Sequence, residues 1–511
     1  MIGRLAVLIC LVEWAAWAQL SPAGGPAGPN RAEPLPLSGR SGQTGSAQTQ
    51  QTSSPGAGVG TITSSVQVSG DFQGSVPAKD VPDGPVTLTL SDAVKRGLAA
   101  NLGPISAGNA VAAARASRRQ ALSNLLPNIA ANVSETITQI DLAAYGFQFK
   151  APANLNFSIP TVVGPFAYSQ AQGTLSQSVV DLVQRRNWQV SKESEKGSLL
   201  TARDARETVV LAVAGTYLQS VTTVARVASQ QAQVENAQAV YNQAVIRKQA
   251  GTNAKIDVTR SLVELQTERQ RLSSLQSDLR KQKITLARLI GLPLDRELTL
   301  IEILGSANDS LPDSSTTLQR AFTRRADLQA AESQVRAAEI ALSSAHAERL
   351  PSVSLNGDYG VIGPNPTSTH GVFAITAAVN VPIWEGGRTR ADIQQAEITL
   401  AQRRAELADQ RGQVEQQVRN ALIELETAIG QVRLSTSNRA YAAETLTEAR
   451  DRFSAGVATT LEVVQAQQQV AGAESDYISS LFSLNLAKLT LARASGEAET
   501  ALPDLLKGNR P

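Results

Sequence analysis

Two stretches of this chain, 166–292 and 383–502, contain no proline. They run for 127 and 120 residues, although the chain holds 22 prolines in all. Proline removes a backbone donor and clashes with the preceding helical turn, so stretches like these are what long uninterrupted helices need. Two of similar length in one chain also point to an internal repeat.

The repeat is there. QALSNLLPNIAANV (120–133) and SAHAERLPSVSLNG (344–357) both pass from a helix pattern through Leu-Pro into a strand pattern, and the two Leu-Pro pairs are 224 residues apart. RKQAGTNAKIDV (247–258) matches RFSAGVATTLEV (452–463) at a spacing of 205, as LARLIG (286–291) matches LARASG (491–496). The drop in spacing predicts about 20 additional residues in the first copy, in a surface loop around 141–166. Residues 86–300 are therefore expected to form a first structural repeat and 301–500 a second, with 501–511 as a C-terminal tail.

The helices carry a heptad seam. Apolar residues recur every seven positions at Val258, Leu265, Leu272, Leu279 and Leu286, and again at Val463, Val470, Tyr477, Leu484 and Leu491. That spacing drives helices to pack as coiled coils. One helix, from about 186 to 249, would be about 95 Å long at the α-helical rise. A soluble bundle shares this pattern, so the strands decide. In 352–361, Val353, Leu355, Tyr359 and Val361 alternate with Ser354, Asn356 and Asp358. In 372–383, Phe373, Ile375, Ala377, Val379, Val381 and Ile383 alternate with Thr376, Ala378 and Asn380. This is the two-residue period of a membrane barrel strand. The first copy offers 128–139 and 168–181, with weaker alternation.

The N-terminus, MIGRLAVLICLVEWAAWAQ, reads as a secretory signal over 1–18, with Arg4 before an apolar run and Ala16-Trp17-Ala18 at the cleavage site. The apolar run is too short to span a bilayer. The single cysteine, Cys10, lies inside it, so the mature chain is expected to have no disulfide, thiolate metal site or lipidated cysteine. No other window reads as a transmembrane helix, so a membrane crossing would have to be made by strands. Residues 19–85, rich in Pro, Gly, Ser, Gln and Thr, read as a disordered leader. Order is expected from about Val86, with Ser91 capping a helix that starts at Asp92.

The expected fold is thus mainly α with membrane β, each repeat running helix, strand, strand, long helix, tight turn, returning helix. Four strands cannot close a barrel, and open edges are not tolerated in lipid, so the barrel must be shared between chains. Two chains would give eight strands and a filled interior; three would give twelve and a lumen. The geometry therefore predicts a homotrimer, with the helices forming an aqueous tube outside the bilayer. The stretch VPIWEGGRTR (381–390) is where strand passes into helix. Pro382 is tolerated at a strand end. Trp384 suits a membrane interface, Glu385 favours the helix N-terminus, and Gly386 and Gly387 let the backbone turn. The first copy has SVVDLVQRR (178–186) there and lacks the glycines.

At this point the sequence resembles the TolC-type outer membrane efflux proteins, over roughly 86–496. The resemblance rests on RADLQAAESQVRAAEIALSSAHAERLPSVSLNGDYG (325–360), PIWEGGR (382–388) and the paired AG-x5-[DE]-V turns at Gly251 and Gly456. It implies a trimeric exit duct with a twelve-stranded outer-membrane barrel and a periplasmic α-barrel. Such ducts serve tripartite efflux or type I secretion, docking through a periplasmic adaptor onto an inner-membrane pump of RND, ABC or MFS type, and perform no chemistry. The resemblance places Gly251 and Gly456 at periplasmic tips that meet the adaptor, and Asp257 and Glu462 at matching acidic gate positions. Gln465 stands where some relatives carry a second acid. Arg247 and Arg452, four residues before the glycines, are candidates to latch the tips on acids.

Other classes fare worse. The balance of 47 Lys+Arg and 45 Asp+Glu, with no basic run interleaved with aromatics, gives no nucleic-acid footprint. His346 and His370 share no metal-ligand spacing, and neither GxSxG nor a P-loop occurs, so no cofactor, metal or enzyme activity is expected. The alternative kept open is a periplasmic adaptor or coiled-coil scaffold, which would show one helical hairpin flanked by compact β domains.

Overall fold

The computed structural model describes residues 31–37, 45–53, 62–77, 84–144, 161–251, 254–301 and 311–500. The signal segment, the C-terminal tail and most of the loop around 141–166 lie outside them. Two strands, β1 (Gly45–Ser53) and β2 (Ile62–Gly70), precede the duplication. The first copy then runs β3 (Val86–Leu88), α1 (Leu90–Ala100), α2 (Leu102–Ser123), β4 (Asn128–Asp141), β5 (Val162–Val180), α3 (Leu182–Gln249) and α4 (Lys255–Leu289). The second runs β6 (Leu298–Leu300), α5 (Ser314–Arg324), α6 (Ala326–Ala347), β7 (Ser352–Gly363), β8 (His370–Asn380), α7 (Arg388–Ser454) and α8 (Thr460–Ala494).

The duplication is carried into element length. The four helices of the first copy have 11, 22, 68 and 35 residues, and those of the second 11, 22, 67 and 35. Each short helix starts on a side-chain cap. Thr89 Oγ1 accepts from the Asp92 N–H at 3.1 Å, and Asp313 Oδ2 from the Thr316 N–H at 3.0 Å. The first helix therefore begins two residues before the position expected. Thr89 is extended and its hydroxyl satisfies an orphan N–H, which leaves Ser91 inside the helix. Each short helix also stops at one extended residue, Asn101 or Arg325, before the next helix begins.

The chain divides into two compact units, and each draws on both repeats. The first holds Met1–Pro36, Ser117–Lys192 and Ala337–Leu400; the second holds Leu37–Ala116, Glu193–Arg336 and Ala401–Pro511.

The first unit contains an antiparallel four-stranded sheet in the order β4-β5-β7-β8. Its register puts the alternating apolar residues on one face. Ile129 lies beside Leu175, Val133 beside Ala171, Ala171 beside Val361, Tyr359 beside Phe373 and Val353 beside Val379. The other face carries Gln172, Thr174, Ser176, Asn356 and Thr376. The apolar face is uncovered in the single chain, with Val133 81% and Phe373 74% exposed. Glu135 interrupts the apolar row, but it pairs with Ser169, which pairs with Gly363 at the hairpin end of β7. The last strand is shorter than the alternation suggested. Pairing ends at Asn380 opposite Ser352, because Pro382 has no N–H for the ladder.

The second unit is built around the middle of α3. Val209, Val210, Val213, Ala214 and Val221 are fully buried among Leu88, Leu286, Leu298 and Leu486. This corrects the reading that no further window could cross a membrane. α3 contains one long and apolar enough, but 83% of it is buried inside the protein. Its apolar side chains serve a core rather than lipid. Tyr217 Oη lies 2.9 Å from the carbonyl oxygens of both Leu88 and Ile301, tying α3 to the parallel pair β3–β6. Burial pushes its phenol up to about 12. None of the ten heptad positions is exposed, and Leu265, Leu286, Val463 and Leu484 are buried.

This unit also buries an ionic cluster. Arg493 Nη2 lies 2.5 Å from Asp204 Oδ1, and Nη1 lies 3.8 Å from Glu207 Oε2. Arg325 forms a bidentate pair with Asp327 at 3.0 and 2.6 Å and donates to Gln417 at 2.6 Å, while Gln410 donates to Asp327 at 2.8 Å. The α5–α6 corner thereby grips α7 at two positions seven residues apart.

The leader expectation needs correction. β1 and β2 form a regular antiparallel hairpin from Gly45↔Gly70 to Ser53↔Ile62. Ala47, Val66 and Val68 pack on the core of the second unit, and Val66 fits against Gly215 of α3. The polar composition hid a period-two pattern, VQV, that gives the ribbon one apolar side. Residues 31–36, also assigned to the leader, belong to the first unit, where Leu35 packs on a small apolar cluster.

Candidate functional site

The two helix reversals have the same construction. Gly251 and Gly456 adopt φ of 76° and 79°, the left-handed conformation that ends a helix. At Gly456 the closure is complete: its N–H donates to Phe453 O at 3.1 Å, and the Val457 N–H donates to Arg452 O at 3.0 Å. Gly251 likewise donates to Lys248 O at 3.0 Å. The repeated spacing from arginine to glycine is therefore first of all a helix stop.

The acid after each glycine is a helix start. Glu462 is the third residue of α8 and closes a capping box with Thr459. Its carboxylate accepts from the Thr459 N–H at 3.2 Å, and Thr459 Oγ1 accepts from the Glu462 N–H at 3.4 Å. Asp257 holds the same place in α4, but Ala254 there gives no side-chain cap.

The arginines diverge. Arg452 Nη2 reaches Glu462 Oε2 at 3.9 Å, a long ion pair across its own turn. Arg247 instead lies over the ring of Phe453, 4.0 Å from the centroid. That contact joins the last turn of α3 to the last turn of α7. Asp257 sits 3.9 Å from Arg260, one turn along α4, and Gln465 is exposed. Phe453 escaped the sequence reading because an aromatic in a helix usually reads as packing. Its place one residue after Arg452, opposite the aligned Arg247, was the available clue.

The strand-to-helix junction forms in the first unit. Gly386 and Gly387 adopt φ of 63° and 85°, and α7 begins at once. Glu385 holds the side chains of its first turn: Arg388 Nη2 lies 2.5 Å from Glu385 Oε1, and Thr389 Oγ1 donates to Oε2. Trp384 is 86% exposed at the end of the apolar face. In the first copy one residue makes the passage, Asp181, whose Oδ1 accepts from the Gln184 N–H at 2.9 Å. Asp181 thus caps the backbone of α3, whereas Glu385 holds the first side chains of α7 and Gly386 and Gly387 make its turn.

A sheet with one mostly apolar face, two edge strands that among the described residues have neighbours on one side only, and two helices of nearly seventy residues define an outer-membrane channel of the TolC type. The chain belongs to the outer membrane efflux protein family, whose model matches residues 106–292 and 317–497. It is similar to the pyoverdine export outer membrane protein OpmQ of Pseudomonas putida, 25% identical over 60% of this chain and 66% of that one. It is also similar to the outer membrane efflux protein BepC of Brucella suis, 25% identical over 49% of this chain and 55% of that one. It spans less than two thirds of the length of either. Among solved structures, the Campylobacter jejuni outer membrane channel CmeC superposes with a TM-score of 0.69 over 86% of this chain and 95% of that one, at 16% identity. The family consists of efflux channel proteins of the outer membrane, and membership places this chain there. The adaptor and scaffold alternative is set aside.

Proposed function

We propose that this chain is the outer-membrane exit duct of a tripartite efflux or type I secretion system, working as a homotrimer. The sheet carries this reading. Among the described residues its apolar face has no cover in the single chain, and its edge strands β4 and β8 each lack a second neighbour in the sheet order. In lipid, unpaired backbone groups cost several kcal/mol each, so the edges must meet other copies. Three copies give twelve strands and an open lumen, whereas two would fill the interior with side chains. The apolar face then meets lipid, with Trp384 at the interface.

The long helices extend from the barrel into the periplasm and carry the turns at Gly251 and Gly456. There a periplasmic adaptor docks and connects the duct to an inner-membrane pump. The resting pore closes at this end. Glu462 and Asp257 offer carboxylates near the neck, while Arg247 and Arg452 hold the turns together. The duct takes no catalytic step, so the pump supplies both energy and substrate.

The test is single-channel recording of the purified mature protein in planar bilayers, with mass measured in detergent. A trimer with a small cation-selective conductance is expected. A protein that stays soluble without detergent and never inserts would overturn the reading.

A further inference from the structure

The segment RAEPLP, residues 31–36, runs along the first unit where α3, α6 and α7 leave the sheet. Its prolines bar a helix, so its backbone groups need partners outside the segment. Those partners come from the three helical segments. Asn187 of α3 donates to Arg31 O at 3.1 Å. The Ala32 N–H donates to Glu348 Oε1, just beyond α6, at 2.7 Å. Arg31 Nη2 donates to Asp392 Oδ1 of α7 at 2.7 Å. Leu35 packs against Val190, Ala337 and Ala341, small side chains that leave room for an extended chain.

The chemistry of the groove matches this occupant. Glu348 is buried, and Asp392 and Glu385 both raise the cost of ionising it. Among the described residues, one oxygen of Glu348 and one of Asp392 have no hydrogen-bond partner. An acidic wall beside an alanine floor calls for a cationic, backbone-donating, apolar peptide. Arg31, Ala32 and Leu35 supply those three properties in order.

We propose that the α3–α6–α7 groove is a peptide-binding site whose ligand is this chain's own segment Arg31–Leu35. The docked segment is a strap that fastens the three helices together where they meet the sheet. It bridges α3 to α7 through Asn187, Arg31 and Asp392, elements that belong to different repeats and are far apart in sequence.

The strap pins both polar groups of the Arg31–Ala32 peptide bond, which is a trypsin site. Cleavage of such a bond follows the population of the opened form. Intact-mass measurement of tryptic cleavage should show slow cutting after Arg31 in the folded trimer. Leu35→Asp and Asp392→Asn should each speed it about tenfold, the factor expected for losing roughly one good contact. Leu35→Asp alters only the strap and leaves the groove whole. A fluorescent peptide of residues 31–37 should therefore bind the Leu35→Asp trimer and not the wild type. Equal cutting rates in all three proteins would overturn the proposal, and so would failure of the peptide to bind the Leu35→Asp trimer. Neither readout uses channel activity, so they test the strap independently of the exit-duct reading.

Discussion

The guanidinium of Arg247 stands 4.0 Å from the centre of the Phe453 ring, and this links the two repeats at their helix reversals. The residues are aligned neither in the duplication nor along one helix, so the contact belongs to the fold. Exposed cation–π pairs are worth about 0.5–1 kcal/mol. Phe453→Leu keeps the apolar bulk and removes the ring face. Amide exchange in the last turns of α3 and α7 should then quicken about two- to fivefold. Exchange that stays at the wild-type rate would show that the ring does not hold the turns.

Glu462 closes a capping box, and one substitution separates that role from the gate role proposed for its charge. Gln at the third helical position still accepts in a capping box, so Glu462→Gln should leave the start of α8 protected. It removes the charge, and with it the pairing to Arg452. Reduced cation selectivity in bilayers, with unchanged exchange protection, is expected. Thr459→Ala should do the reverse, costing about 1 kcal/mol of helix stability with selectivity kept. If Glu462→Gln leaves selectivity intact, this carboxylate does not face the pore.

Arg493 pairs closely with Asp204 and lies near Glu207 inside the second unit. Removing one partner of a buried pair leaves the other charge uncompensated, at about 3–5 kcal/mol. Arg493→Met should lower the thermal midpoint of the detergent-solubilised protein by several degrees or more. A midpoint unchanged within a degree would mean that water reaches the acids.

Glu207 makes a pH prediction. Burial pushes its carboxyl above the usual range, against the pull of Arg493. The folded state then holds the proton to higher pH than the unfolded chain does. Between the ordinary glutamate value and the raised one, folding binds protons, so this group's contribution to stability falls as pH rises. Glu207→Gln should remove that fall. Thermal midpoints measured from pH 4 upward should show a flatter profile in the variant. A profile of the same slope would assign the effect elsewhere.

Trp384 reports on the membrane. With Trp188→Phe, it becomes the sole tryptophan outside the signal segment. Brominated lipids should quench it most strongly when bromine lies near the headgroups, as expected for an interfacial aromatic. Greatest quenching by bromine at the bilayer centre would move the junction into the hydrocarbon core.

The sequence by itself determined the repeat, the long helices, the heptad seam and the alternating strands. These are local or periodic properties, governed by proline exclusion and side-chain periods of 3.5 and 2. It also located the turns, because only glycine readily adopts positive φ where Gly251, Gly456, Gly386 and Gly387 do. Tertiary structure decided what the conspicuous residues do. Glu462 became a cap because Thr459 lies three residues before it, and Arg247 came to lie over the Phe453 ring. Arg325 and Arg493 sit in motifs that read only as family and repeat signatures, yet the fold holds them beside Asp327, Asp204 and Glu207. The hairpin β1–β2 and the strap at Arg31 were invisible for the same reason. Their polar, proline-bearing composition has no core of its own, and their order comes from surfaces supplied by residues more than a hundred positions away.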